Sequence, residues 1–241
     1  MADTYLQIAK LIDHSLLNPT LTATDLESGI QLARAYDVAS VCILPYALPH
    51  CVELLTATNV QPSTTIGFPH GGQATSVKEA EAVRAVEDGC QELDLVVNIS
   101  RVRSGHWPDV TAEIRAVIDI AHAADRKVKV IFENCYLNDA QKIKLCEISS
   151  DLKADWVKTS TGYGTSGATI EDLKLMLKHV GPGVQVKAAG GIRTYESLLE
   201  VQALGVTRCG ASRTQQMLDD CRQKLGLEPI VFHANSSEGS N

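Results

Sequence analysis

The chain has 241 residues, and 22 Lys plus Arg stand against 29 Asp plus Glu, for a formal net charge of −7. Hydrophobic residues make up 44% and charged residues 21%, the balance of a globular protein long enough to bury a large core. That acidic total argues against a dedicated nucleic-acid binder, and no stretch of about 18 uninterrupted apolar residues offers a membrane span. Met1-Ala2-Asp3-Thr4 lacks the basic and apolar regions of a secretory signal. The seven cysteines are scattered with no Cys-x-x-Cys, and the histidines form no His-Glu-x-x-His. Both facts point to reduced thiols in a cytoplasmic protein and to no metal site.

Eight short runs rich in β-branched and apolar residues recur along the chain, at 11–14, 40–44, 64–68, 93–98, 128–133, 156–160, 184–188 and 206–210. Helical start signals and 3.6-residue periodicity lie between them. Thr24-Asp25 opens a helix running to about Tyr36, and Thr75-Ser76 opens one that stops near Gly89. Trp107-Pro108-Asp109 opens another, and Asn138-Asp139 precedes the next. Thr169 and Thr194 precede two more, which end at Gly181-Pro182 and Gly205. Such alternation predicts a parallel sheet with crossover helices. Eight units fit a closed α/β TIM (β/α)8 barrel, a single domain with a short N-terminal helix, better than an open doubly wound sheet. The barrel is expected over 1–227, and the tail 228–241, which runs into Asn235-Ser236-Ser237, is expected to be disordered.

In a barrel alternate strand residues point inward, and helices cover the apolar outer face. Asp94, Asn98, Lys129, Glu133, Lys158 and Lys187 then fall on the inward side of their strands. Isolated buried charges cost several kcal/mol each, so such a set is either a satisfied ion-pair network or a charged catalytic pocket. Lysine attacks a carbonyl only as the neutral amine, and at an ordinary pKa of ~10.4 only about one in a thousand is neutral near neutrality. Burial and a second cation both weaken its hold on the proton. Lys158 and Lys187, on neighbouring strands, suit that pairing, and Asp94 suits proton transfer, which outlines a class I, Schiff-base aldolase. Glycines follow the last three strands in Ser160-Thr161-Gly162, Ala189-Gly190-Gly191 and Gly210-Ala211-Ser212. Each is either a plain turn or part of an anion cradle. Arg193 and Arg213 stand beside them, as anion contacts or as surface arginines.

These segments closely resemble the deoxyribose-phosphate aldolase family. The resemblance runs through Leu11-Ile12-Asp13-His14, Ser40-Val41-Cys42, Ile66-Gly67-Phe68-Pro69, Glu92-Leu93-Asp94, Val157-Lys158-Thr159-Ser160-Thr161-Gly162 and Val186-Lys187-Ala188-Ala189-Gly190-Gly191-Ile192-Arg193, and it spans roughly residues 5–225. It implies reversible cleavage of 2-deoxy-D-ribose 5-phosphate to D-glyceraldehyde 3-phosphate and acetaldehyde, in deoxyribonucleoside catabolism. By the same resemblance Lys158 forms the imine, Lys187 depresses its pKa, and Asp94 relays protons through a water. Asp13 and Ser15 would hold substrate hydroxyls or their partners, and Lys129 and Glu133 would tune the charges. Gly162, Gly190, Gly191 and Ser212 would cradle the phosphate. Cys42 stands where many members carry an active-site cysteine, as a participant or as a small apolar filler. No metal or organic cofactor is implied, and a homodimer is. Arg213 departs from a second hydroxyl residue common after Ser212, and Tyr163 stands where some longer relatives carry a lysine. Another Schiff-base aldolase of sugar phosphates would share the chemistry but not the whole motif set, and a non-enzymatic sensor or binding barrel would be favoured by loss of either lysine, whereas Lys158 and Lys187 are both present.

Overall fold

A computed structural model of the chain describes residues 4–232. Its centre is a closed barrel of eight parallel strands in chain order. These are β1 (Ile12–Leu16), β2 (Ser40–Ile43), β3 (Gln61–Ile66), β4 (Glu92–Val96), β5 (Lys127–Ile131), β6 (Trp156–Lys158), β7 (Gln185–Ala189) and β8 (Arg208–Ala211). β1 closes the ring on β8, with Asp13 opposite Gly210. A short helix, α1 (Tyr5–Ala9), precedes β1. The crossovers are α2 (Ala23–Ala35), α3 (Leu48–Leu55), α4 (Thr75–Glu87), the pair α5 (Ile99–Arg103) and α6 (Trp107–Ala123), α7 (Asp139–Asp151), α8 (Ile170–His179) and α9 (Tyr195–Ala203). A last helix, α10 (Thr214–Lys224), follows β8. The TIM-type barrel expected from the alternation of runs is the fold observed.

Local chemistry explains most helix starts. Thr22, two residues before the expected Thr24, caps α2, because Asp25 returns the bond to the Thr22 backbone at 2.8 Å. Asn138, Thr169 and Thr194 cap α7, α8 and α9 as their positions suggest. Three helices lacked a clear signal. α3 begins Leu48-Pro49, α5 has 5 residues, and α10 buries only Thr214, Met217, Leu218 and Cys221 on a polar ribbon. β3 begins at Gln61 and not at Thr64, since Pro62 reads as a breaker yet still accepts from the Gln91 amide at 2.8 Å.

The core lies between barrel and helices. Leu93, Leu95, Val128, Val130, Val157 and Val186 are buried in one cluster with Ile114, Val117, Leu145, Met176 and Leu198. That outward packing leaves the other strand face for charge. Of the expected tail, residues 228–232 are coil, with Ile230 and Phe232 against the core and the Glu228 carbonyl accepting from Arg222 at 2.8 Å. The remainder, 233–241, lies outside the described residues.

His14 joins β1 to α10, with its Nδ1 2.8 Å from the Thr214 hydroxyl. Complete burial pushes its imidazole down from 6.5 to about 4. The unfolded chain therefore takes up a proton on His14 at higher pH than the folded one. Stability from this group is complete above about pH 6.5 and is lost as pH falls towards 4, by about 3 kcal/mol in all. Denaturation at several pH values should show that slope in the native protein and a flatter one in His14→Gln. An equal slope in both would assign the acid sensitivity to other groups.

Candidate active site

Strand register brings the charges together. Asp94 of β4 lies opposite Lys129 of β5, and Lys158 of β6 lies opposite Lys187 of β7. All four side chains are buried and point into the barrel. One Asp94 oxygen, Oδ1, stands 2.8 Å from the Lys129 amine. The other, Oδ2, stands 2.7 Å from Lys158 and 3.0 Å from Lys187, so a single oxygen bridges the two amines. Asp13 reaches Lys187 at 2.5 Å, and Glu92 reaches Lys129 at 2.5 Å. Arg208 closes the base of the network on Asp13 and Glu92 and stacks 4.9 Å from the Trp156 ring centre. Each buried charge thus has partners, the condition under which such charges persist.

The three amines are not equivalent. Burial works against the charge on all of them. For Lys158 it prevails, aided by the Lys187 cation against the pull of Asp94, and the pKa is lowered. For Lys187 the Asp13 and Asp94 carboxylates outweigh burial and raise the pKa. For Lys129 the carboxylates of Asp94, Glu92 and Asp13 outweigh it further, and the pKa stands well above the usual lysine range. Burial alone would raise the Asp94 carboxyl, but Lys129, Lys158 and Lys187 hold it well below the carboxylate range. Asp94 is therefore ionised, Lys129 and Lys187 are cationic, and Lys158 is the amine that gives up its proton most readily.

A cavity of about 460 Å³ opens at the C-terminal ends of the strands, where barrel sites form. Lys158, Lys187, Asp13, Ser15 and Cys42 line it, as do Gly162, Gly190, Gly191, Ser212 and Arg193. Asp94 and Lys129 are not part of its lining: Asp94 reaches it through Lys158 and Lys187, and Lys129 borders the wall residue Asp13 at 3.5 Å. Burial pushes the Cys42 thiol up to about 11, so it stays a protonated thiol near neutrality. Arg213 lines a separate surface groove with Gln216 and Asp220 and takes no part in the cavity wall.

Two expected inward residues sit past the ends of their strands, where period-2 alternation no longer applies. Asn98 is not in the charge network: it caps α5 by accepting from the Arg101 amide at 3.1 Å. Glu133, in a left-handed turn with φ of 58°, accepts from the Thr161 amide at 3.2 Å and from the Thr161 hydroxyl. Burial raises the Glu133 pKa. Thr161 in turn accepts from the Tyr163 amide at 3.0 Å. Tyr163 roofs part of the cavity, with its hydroxyl donating to the Leu17 carbonyl at 2.7 Å and its ring edge-on to Phe68 at 5.5 Å. Sequence reading missed Glu92, Arg208 and Trp156, which complete the network. Glu92 was available, because it sits two residues before Asp94 on the same face of β4.

The mouth is set by backbone contact. Ala168 donates to both the Ala189 and Gly190 carbonyls at 3.0 Å, which presses the β6 loop onto the β7 loop. A Cβ on Gly167 would fall 2.3 Å from the Gly190 carbonyl oxygen. Gly167→Ala is expected to cost roughly 1–3 kcal/mol, read as a lower urea midpoint. An unchanged midpoint would show that the two loops separate freely.

An amine with a weakened hold on its proton, on the floor of a polar cavity, equips a barrel enzyme for carbonyl chemistry. The pattern of DeoC/LacD family aldolases matches residues 7–212, and the chain belongs to that family. The chain is 61% identical over 240 residues to a deoxyribose-phosphate aldolase of Rhodopirellula baltica, covering 99% of this chain and 100% of the relative. It is 45% identical over 226 residues to a protein of the same name from Caldanaerobacter subterraneus, covering 93% and 97%. Among solved structures, the aldolase QR15 superposes with a TM-score of 0.86 at 34% identity, covering 92% of this chain and 99% of that one. The tetrameric deoxyribose phosphate aldolase of Aeropyrum pernix superposes with a TM-score of 0.84 at 28% identity, covering 92% and 93%.

Proposed function

We propose that the protein is a class I aldolase that cleaves 2-deoxy-D-ribose 5-phosphate reversibly to D-glyceraldehyde 3-phosphate and acetaldehyde, in deoxyribonucleoside catabolism. One observation carries the mechanism: Asp94 Oδ2 lies between the Lys158 and Lys187 amines. The neutral Lys158 amine attacks the C1 aldehyde of the open-chain sugar. The carbinolamine loses water to give an iminium, with Asp94 placed to pass protons to and from the nitrogen. A base takes the C3 hydroxyl proton, the C2–C3 pair flows into the iminium, and D-glyceraldehyde 3-phosphate leaves. Protonation of the enamine at C2 and hydrolysis release acetaldehyde and return the free amine. Throughout, Lys187 stays cationic on Asp13 and Asp94, which keeps Lys158 from holding its proton.

The cavity's rim suits the phosphate. Gly162, Gly190 and Gly191 all have positive φ, and with Ser212 and Arg193 they offer donors to an anion at the strand ends. Below the rim, Lys129, Lys187 and Arg208 balance the carboxylates of Asp13, Glu92 and Asp94, so the floor does not repel an anion at the mouth. The presence of Ser15 and Asp13 on the cavity wall supports a role in holding substrate hydroxyls, directly or, for Asp13, through its partners Lys187 and Arg208. The same reading carries a cytoplasmic location, supported by seven free cysteines, and a homodimer, which mass measurement in solution separates from a tetramer.

Borohydride added with 2-deoxyribose 5-phosphate should trap a covalent adduct, and peptide mapping should place it on Lys158. An adduct on Lys187 or Lys129 would sink the assignment. Lys187→Leu removes the neighbouring cation and leaves Asp94 with fewer partners, so the Lys158 pKa should rise. Activity near neutral pH should fall roughly a hundredfold or more, with part of it returning at alkaline pH. A loss independent of pH would refute the role given to Lys187.

A further inference from the structure

Arg208 stands at the start of β8, mostly buried and away from the cavity wall. Its Nη1 lies 2.6 Å from Asp13 Oδ1, and its Nη2 lies 3.0 Å from Glu92 Oε1. Nη1 also donates to Glu92 Oε2 at 3.2 Å. The guanidinium thus forks across two carboxylates, a geometry that lysine cannot reproduce. The Trp156 face at 4.9 Å fixes its plane, and the Trp156 indole is tied to the Thr207 hydroxyl at 3.0 Å. What remains of each carboxylate goes to a lysine: Asp13 Oδ2 to Lys187 at 2.5 Å and Glu92 Oε2 to Lys129 at 2.5 Å.

We propose that Arg208 is a positioning residue of the aldolase reaction: it aims Asp13 at Lys187 and Glu92 at Lys129, and so leaves Lys158 no more than a share in Asp94. The charges around Lys158 make the division visible. Asp94 from β4 and Lys187 from β7 touch or share its partner, the Cys42 thiol of β2 faces it, and Glu133 stands beyond β5. Asp13 and Lys129 lie one contact further away, Glu92 one beyond Lys129, and Arg208 borders both of these carboxylates. If the guanidinium goes, both carboxylates turn unopposed negative charge towards the lysines. If the Glu92 charge goes, Lys129 leans harder on Asp94, which then has less to offer Lys158. The two losses therefore push Lys158 in opposite directions, although neither residue lines the cavity.

This inference rests on Lys158 as the imine-forming lysine, so the test begins with borohydride trapping on Lys158 in the native enzyme. Absence of that adduct overturns both readings; its presence leaves the positioning role to be decided by pH. The acid limb of kcat/KM for 2-deoxyribose 5-phosphate reports the free-enzyme amine. It should move up by roughly half to one pH unit in Arg208→Gln and down by a similar amount in Glu92→Gln. The double variant should return it towards the native position, and Arg208→Lys, which keeps the charge but cannot fork across both carboxylates, should still show an upward shift. The 13Cε shift of Lys158, followed by NMR through the same pH range, should track these movements without relying on turnover. Should Arg208→Gln fail to fold, Arg208→Lys takes its place, and a limb at the native position in that variant overturns the role given to the guanidinium fork. Limbs that stay put, or that move the same way in Glu92→Gln and Arg208→Gln, overturn the proposal.

Discussion

The rest of the site depends on one carboxylate, Asp94, held among three amines inside a sealed barrel. Its two oxygens meet Lys129 at 2.8 Å, Lys158 at 2.7 Å and Lys187 at 3.0 Å. A lone carboxylate at that depth would take up a proton sooner than stay charged, and lone amines would give theirs up. Together they hold one another ionised, except at the weakest position. That exception is what the proposed imine chemistry draws on: a network that satisfied every amine equally would offer no neutral amine, and one that satisfied none would not fold.

The barrel supplies this inequality through register and strand order. On adjacent strands Lys129 pairs in register with Asp94 and with Trp156, whereas Lys158 pairs with Ile131 and Lys187, one inward step nearer the mouth. Glu92 of β4 reaches Lys129, Asp13 of β1 reaches Lys187, and Arg208 contacts both carboxylates. Lys158 stands on β6, between the strands of the other two lysines, and pairs with Asp94 instead of with Asp13 or Glu92. Lys158 also ends the shortest strand, three residues long, so its chain turns at once into the loop that carries Thr161 and Gly162.

Much of this was legible in the sequence, and the limits of legibility have physical causes. The eight runs marked the strands because a parallel strand covered by helices must be apolar on one face, and the charged residues alternating with them could then only point inward. Lys129, Lys158, Lys187 and Asp94 followed from that parity. Parity fails where a strand stops, which is why Asn98 was expected inside and instead caps a helix. Glu133 kept its burial but exchanged lysines for the Thr161 amide and hydroxyl, because its left-handed turn redirects the side chain. Glu92 and Arg208 sit at strand beginnings, the end of a barrel that a search for chemistry at the C-terminal ends does not visit. No local pattern encodes their meeting, since 116 residues separate them and only closure of β8 onto β1 brings them together.

Closure has a further consequence for the division of labour around the ring. The cavity draws most of its wall from β1 and from β6 to β8, and the loops after β4 and β5 contribute no wall residue. Those two strands supply Asp94, Glu92 and Lys129 from below instead. One side of the barrel therefore walls the cavity while the other sets the charges beneath it. Only a closed sheet permits this arrangement, because residues on opposite sides of the ring share one interior too narrow to hold water between every pair of charges. In an open sheet the carboxylates and the lysines would face solvent on separate strands, the network would be screened, and Lys158 would keep its proton. The weakened amine is thus a property of ring closure as much as of any residue in it.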